Sequence, residues 1–246
     1  MRTALVGGGA TGIGYAIASR LARSGHRVVI TGRRGDALDA AALQLKEETG
    51  ATVETQVSDV SAGDADVGSA DILIVNAGGP PPGRILDVAD DAWRAGAELL
   101  LFGPLRLARQ ALPGMAGRGF GRVVFVTSAA VRQPQPDLAV SVVLRSAVTA
   151  AAKLLAREYA ADGVTVNCVA PGATDTARRR EILAGRALRT GRSYQDLDAD
   201  DTGGIPAGRP ARPDEIAAAV AFLTSADASY LNGTVLTVDG GRTETI

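Results

Sequence analysis

One cysteine, one histidine and one tryptophan stand among 246 residues, and these scarcities exclude several chemistries. The lone thiol, Cys168, has no internal disulfide partner, and its place in the apolar run VTVNCVAPG reads as a buried structural group. With His26 and Cys168 the sole soft ligands, the sequence offers no transition-metal site. His26 opens the second strand, far from any glycine-rich end, and reads as structural. Neither sign of charge is in excess. The net charge of −1 gives no global field to draw the chain to nucleic acid or to an anionic membrane. No apolar run approaches the ~20 residues expected of a membrane span. The chain opens on MRTALVGGG without a basic-then-apolar leader, so the expectation is a cytoplasmic protein.

Apolar residues make up 46% of the chain and charged residues 22%, enough for a large core in one domain spanning 1–246. Short β-branched runs at 3–7, 27–31, 52–57, 71–75, 122–127, 164–169 and 234–238 read as strands. Segments 13–24, 36–48, 91–112, 140–161 and 213–225 read as helices. This alternation predicts an α/β fold: right-handed crossovers and a mostly parallel sheet covered on both faces. Segment 177–205 breaks the rhythm and reads as a helical excursion or lid.

The first strand runs into GGGATGIG (7–14) and then a helix. Glycines there permit a tight turn and let backbone N–H groups approach a pyrophosphate. At the end of the second strand an NAD site usually places an acid for the ribose 2′-hydroxyl. This chain has ITGRR (30–34) instead, and Arg33 and Arg34 suit a 2′-phosphate. NADP(H) is therefore the expected cofactor.

GGGATGIG, SDV (58–60), VNAG (75–78), Trp93, GRVVFVTS (121–128), VTVNCVAPG (164–172) and VDGG (238–241) follow in order. Along nearly its whole length the chain resembles the short-chain dehydrogenase/reductase family, especially its 3-oxoacyl-carrier-protein reductases. The resemblance implies a single-domain Rossmann-like three-layer sandwich with a seven-stranded parallel sheet. It implies cofactor contacts at Gly8, Gly12, Ile13 and Gly14, at Asp59 and Val60 for the adenine, and at Asn76, Ala77 and Gly78. Pro171, Gly172 and Thr176 fall on the nicotinamide side by the same likeness. Gly7 stands where the family commonly has threonine. The stretch between Asp59 and Asn76 is too short for the family's full helix, and the expectation is a crossover of a turn or two that leaves one sheet face thinly covered.

At the chemical end the resemblance maps the substrate-binding serine onto Ser128, which could equally be a strand-end serine satisfying local backbone. The family's tyrosine falls on Ser141, its lysine on Arg145 and its asparagine on Leu100. No Y-x-x-x-K occurs anywhere: the residues four beyond Tyr15, Tyr159, Tyr194 and Tyr230 are Ser19, Gly163, Asp198 and Thr234. A phenol has a pKa of about 10 that a neighbouring cation lowers, whereas an alkyl hydroxyl is a far weaker acid. Arg145 keeps the positive charge, with the nicotinamide ribose as its expected partner, but does not shuttle protons. Loss of general acid catalysis costs roughly 10²–10⁴ in rate.

Tyr194, Arg132 and Arg84 are substitute electrophiles by sequence position, each with a plain surface role as its alternative. Arg178, Arg179, Arg180, Arg186, Arg189 and Arg192 in the lid read as a solvated helical face or as receivers of an anionic substrate, such as a carrier- or coenzyme A-bound thioester. Three functions follow: an NADP(H)-dependent ketoreductase with Ser and Arg in place of Tyr and Lys, a silent NADP-binding subunit of a mixed oligomer with a homologue, or a redox-neutral cyclase, dehydratase or isomerase. The resemblance also implies a homo-oligomer, dimer or tetramer, formed through helices 91–112 and 140–161 and the C-terminal segment.

Overall fold

The computed structural model describes residues 1–245. Seven strands form one parallel sheet: β1 (Thr3–Gly7), β2 (Arg27–Gly32), β3 (Val53–Val57), β4 (Ile72–Val75), β5 (Gly121–Val126), β6 (Val164–Pro171) and β7 (Val235–Val238). They lie in the order β3-β2-β1-β4-β5-β6-β7, so the chain reverses direction across the sheet between β1 and β4. Ligands of open α/β sheets bind in the crevice at such a reversal, beyond the strand C-termini.

Side chains alternate across each strand, and continuous apolar runs therefore feed two cores at once. On one face α1 (Gly12–Arg23), α2 (Gly35–Thr49) and α8 (Pro213–Thr224) bury Ile17, Leu38 and Ile216 against Val6, Ile30 and Ile74. On the other, α4 (Gly103–Gly117) and α5 (Ala139–Glu158) bury Leu112, Met115 and Val148 against Leu73, Phe125 and Cys168. Each such side chain contributes about 1.5–3 kcal/mol. Burial pushes the Cys168 thiol up to about 12, in keeping with a structural role. Burial likewise lowers the pKa of His26, which precedes β2.

The expected strands and helices are present with ends displaced by at most three residues, except over 91–112. There α3 (Asp90–Ala97) passes into a π-helical turn at Glu98–Phe102 and then into α4, which ends five residues later than expected. α5 is long and apolar enough, by length and composition alone, to cross a membrane. In this fold it packs between the π turn and β6, and its outward residues include Val143 and Leu154.

Residues 58–71 form turns without a helix, as the short crossover predicts. They are nevertheless well anchored. Ala65, Val67 and Ala70 are buried against the α4 core. Arg106 donates to the carbonyls of Ser61 and Ala62, Gln110 to Gly63 (3.1 Å) and Arg118 to Ala70 (2.7 Å). At Gly103 the helix comes so close that a Cβ would sit 1.8 Å from the Val60 carbonyl oxygen. At the sheet edge Val57, the last residue of β3, is exposed.

Segment 177–205 folds as α6 (Ala177–Thr190) and α7 (Tyr194–Gly203). Thr176 and Ser193 cap these helices, each hydroxyl accepting from a backbone N–H in the first turn.

Candidate active site

The loop after β1 is shaped by backbone contacts that exclude side chains. A Cβ on Gly7 would lie 2.7 Å from the Asn76 carbonyl oxygen, and one on Gly14 only 2.1 Å from that of Gly8. Gly8 and Gly12 have φ of +60° and +56°, values that glycine adopts without strain. Asn76, just beyond β4, donates from Nδ2 to the Gly7 carbonyl (3.0 Å) and so locks two strand ends together. Thr11 precedes α1 without a side-chain cap, leaving the first-turn N–H groups to an external acceptor. Thr176 faces Gly12 across the opening. Arg33 and Arg34 are exposed at the start of α2, with no ion pair among the described residues. Bare N–H groups beside two free guanidiniums fit a dinucleotide that carries an extra phosphate.

From this loop a cleft of about 400 Å³ runs along the strand C-termini. It brings together Gly8, Gly12, Ile13, Asn76, Ala77, Gly78, Ser128, Ser141, Arg145, Pro171, Gly172 and Thr176 from segments far apart in sequence. Gly14, in the first turn of α1, lies outside its lining, as do Arg33 and Arg34 after β2 and Asp59 and Val60 after β3.

Arg145 reaches from α5 to the cleft floor. Its Nη1 donates to the Val126 carbonyl (2.7 Å), Nη2 to the Gly78 carbonyl (3.3 Å) and Nε to Ser141 Oγ (3.2 Å). Burial, and secondarily the charge of Arg178, brings its pKa down to about 10, so it is a cation at neutral pH. Ser141 accepts from Arg145, and Ser128 accepts from the Ala130 N–H (3.2 Å). Each hydroxyl already has a donor facing its oxygen, which leaves its own proton free for a ligand in the cleft. Leu100 is buried against Val140 and Leu144, so apolar packing occupies the position at which the resemblance calls for asparagine.

Comparison with known proteins agrees with this geometry. The family profile described as enoyl-(acyl carrier protein) reductase matches residues 8–243. 3-Oxoacyl-acyl-carrier-protein reductase FabG of Chlamydia trachomatis is 29% identical over 98% of this chain and 96% of its own. The L-sorbose reductase of Gluconobacter frateurii, solved with NADPH and L-sorbose, superposes with a TM-score of 0.92 at 33% identity, over 100% of this chain and 97% of its own. The actinorhodin polyketide ketoreductase, solved with NADPH, superposes at 0.93 with 29% identity, over 99% and 98%. The chain belongs to the short-chain dehydrogenase/reductase family. Both solved neighbours hold NADPH, a cofactor that the open N–H groups and the two arginines of this chain fit.

Of the arginines in segment 177–205, Arg180, Arg189 and Arg192 are exposed, whereas Arg178, Arg179 and Arg186 line the cleft. They are largely neutralised by acids of the protein itself. Arg179 contacts Asp198 and Asp201, Arg180 pairs with Asp175, Arg186 forks onto Asp137, and Arg192 pairs with Asp200. Arg189 approaches Asp137 only at 3.8 Å. Asp201 also accepts from Arg242 (2.7 Å), which makes an Arg–Asp–Arg triad joining α6, α7 and the C-terminal segment. Burial would raise the Asp201 pKa, but the two guanidiniums outweigh it and hold the carboxyl below its ordinary value. The signal was present in the sequence as the acidic run DLDADD beside ARRR.

The substitute electrophiles are not brought to the cleft. Arg84 is exposed on the loop after β4, Arg132 faces a separate cavity near Lys153 and Cys168, and Tyr194 begins α7 outside the cleft lining. Arg178, Gln135, Asp201 and Arg242 do line it, and of these only Arg178 was singled out by sequence.

Proposed function

We propose that this protein interconverts a ketone and an alcohol with NADP(H), using Ser128, Ser141 and Arg145 where a phenol and an ammonium are usual. The observation that carries the reading is the Arg145–Ser141 contact beside the free Ser128 hydroxyl. Bound NADPH supplies a hydride to the substrate carbonyl carbon. Ser128 and Ser141 donate to the carbonyl oxygen, and the fixed charge of Arg145 supports the negative charge that develops there. The proton comes from water in the space that a phenol would fill. Gly8, Gly12, Ile13 and Gly14 hold the pyrophosphate, Arg33 and Arg34 the 2′-phosphate, and Asp59 and Val60 the adenine. Asn76, Ala77, Gly78, Pro171, Gly172 and Thr176 hold the nicotinamide half, and Arg145 also meets its ribose. Residues 177–205 serve as the substrate lid.

The experiment is stopped-flow NADPH oxidation with β-keto thioesters, free oxo acids and quinones, on the parent and on Ser141→Tyr/Arg145→Lys. Turnover in the parent is expected, with a gain of roughly 10²-fold or more in the double variant once a phenolic acid is restored. Silence in the parent with NADPH still bound favours a silent subunit of a mixed oligomer, a reading supported by the buried Leu100. Conversion of substrate without NADPH oxidation identifies a redox-neutral cyclase, dehydratase or isomerase.

Self-association as a dimer or tetramer is part of the proposal. Phe102, Val143 and Leu154 are exposed on the α4–α5 side, and Phe222, Tyr230 and Leu231 near β7. The proposed location is the cytoplasm. Carrier-bound and coenzyme A thioesters remain in the panel, although the ion pairs of the lid leave few arginines free for a phosphate.

A further inference from the structure

Five guanidiniums line the cleft: Arg145, Arg178, Arg179, Arg186 and Arg242. Three have their counter-charge within the protein. Arg179 and Arg242 share Asp201, and Arg186 is doubly bonded to Asp137. The other two differ. Among the described residues, all the hydrogen-bond partners of Arg145 are neutral oxygens. Arg178 donates from Nη2 to the Pro80 carbonyl (2.6 Å), and among the described residues its one acidic partner is Glu181 at 3.5 Å, largely exposed and one turn along the same helix. The two heads flank a single loop. Arg145 touches Gly78, and Arg178 lies so near Gly79 that a Cβ there would be 3.2 Å from Nη2.

We propose that Arg145 and Arg178 form the seat of a substrate carboxylate, so that the protein acts on a small oxo acid and its hydroxy-acid counterpart. The inference rests on the carbonyl-reducing reading of the cleft and names its substrate class. A guanidinium has five N–H groups, and Arg145 uses three, so two remain. With the spare N–H groups of Arg178 they supply enough donors to satisfy both oxygens of a carboxylate. Two partly desolvated cations on one loop repel each other, and an anion between them removes that cost. A neutral ketone does not. The carboxylate acts only as an anchor: the ketone carbon gains the hydride, its oxygen gains a proton from water, and the carboxylate is unchanged.

The test is calorimetric binding to NADPH-saturated protein of pyruvate, acetoacetate and levulinate, each against its methyl ester, with acetoacetyl-CoA as a further arm. At least one acid is expected to bind about tenfold tighter than its ester, a gap equal to one charge-assisted hydrogen bond. Arg178→Gln should reduce the gap to about twofold while leaving NADPH affinity unchanged. Three esters that bind as well as their acids would overturn the proposal, as would a clear preference for acetoacetyl-CoA. A loss of NADPH affinity in Arg178→Gln with acid preference intact would also overturn it, because Arg178 would then serve the cofactor. If the parent binds no NADPH, the reductase reading fails by itself, and the acid–ester comparison on cofactor-free protein still decides the carboxylate seat.

Discussion

Replacing Asp201 by Asn tests whether the lid is held by its central carboxylate. Asp201 accepts from Arg179 through Oδ2 (2.8 and 3.1 Å) and from Arg242 through Oδ1 (2.7 Å), and the side chains of Asp201 and Arg179 are only 11% and 12% exposed. Removing one member of a buried ion pair costs about 3–5 kcal/mol, because the partner charge stays behind. Arg179 keeps Asp198 and Arg242 is partly solvated, which places the expected loss near the lower end, about 3 kcal/mol. In a chain of this size that is a fall in Tm of about 6–12 °C. Scanning calorimetry at neutral pH reads it, and trypsin should cut faster at the arginines before α7. The pH dependence has a definite sign. The folded pKa of Asp201 is depressed, so its stabilisation is full above the ordinary carboxylate value and is lost as pH falls through the lower folded value. The gap between parent and variant should therefore be undiminished at about pH 5 and close only in stronger acid. A Tm change under about 2 °C with unaltered tryptic cleavage would refute the triad as the lid's anchor.

Three further outcomes are expected. Gly103→Ala drives a methyl group into the Val60 carbonyl and should cost about 1–3 kcal/mol in urea unfolding, with a parallel loss of NADPH affinity. Arg33→Ala with Arg34→Ala should weaken NADPH about tenfold or more and leave NADH binding unchanged, as measured by fluorescence titration. The NADPH-dependent rate should stay level from about pH 6 to about pH 9, because Arg145 keeps its charge throughout that range. A bell with an inflection near neutrality would mean that another group donates the proton.

Much of the scaffold was legible because fully buried strands such as ILIV and VVFV leave no alternative to a sheet covered on both faces. Strand ends are less legible, since a residue at the rim gains little by joining or leaving a ladder. The π turn was hidden because ELLLF has ordinary helical composition, and its extra residue answers a tertiary demand: Gly103 must meet Val60. The lid pairing was half visible as opposite charge runs, but which arginine meets which acid depends on how α6 and α7 fold back on each other. Arg145 shows the limit most sharply. Its spacing from Ser141 is written in the chain, whereas its three neutral partners come from β5, the loop after β4 and its own helix.

The hooks that suspend residues 58–71 from α4 have a mechanical consequence. A crossover with its own helix would keep its shape independently, but this one takes its form from a neighbour through Arg106, Gln110 and Arg118. The corner at Asp59 and Val60 therefore moves with α4, the helix that follows directly on exposed Phe102. Loss of those few side-chain tethers would leave residues 58–71 with little of their own to hold their shape.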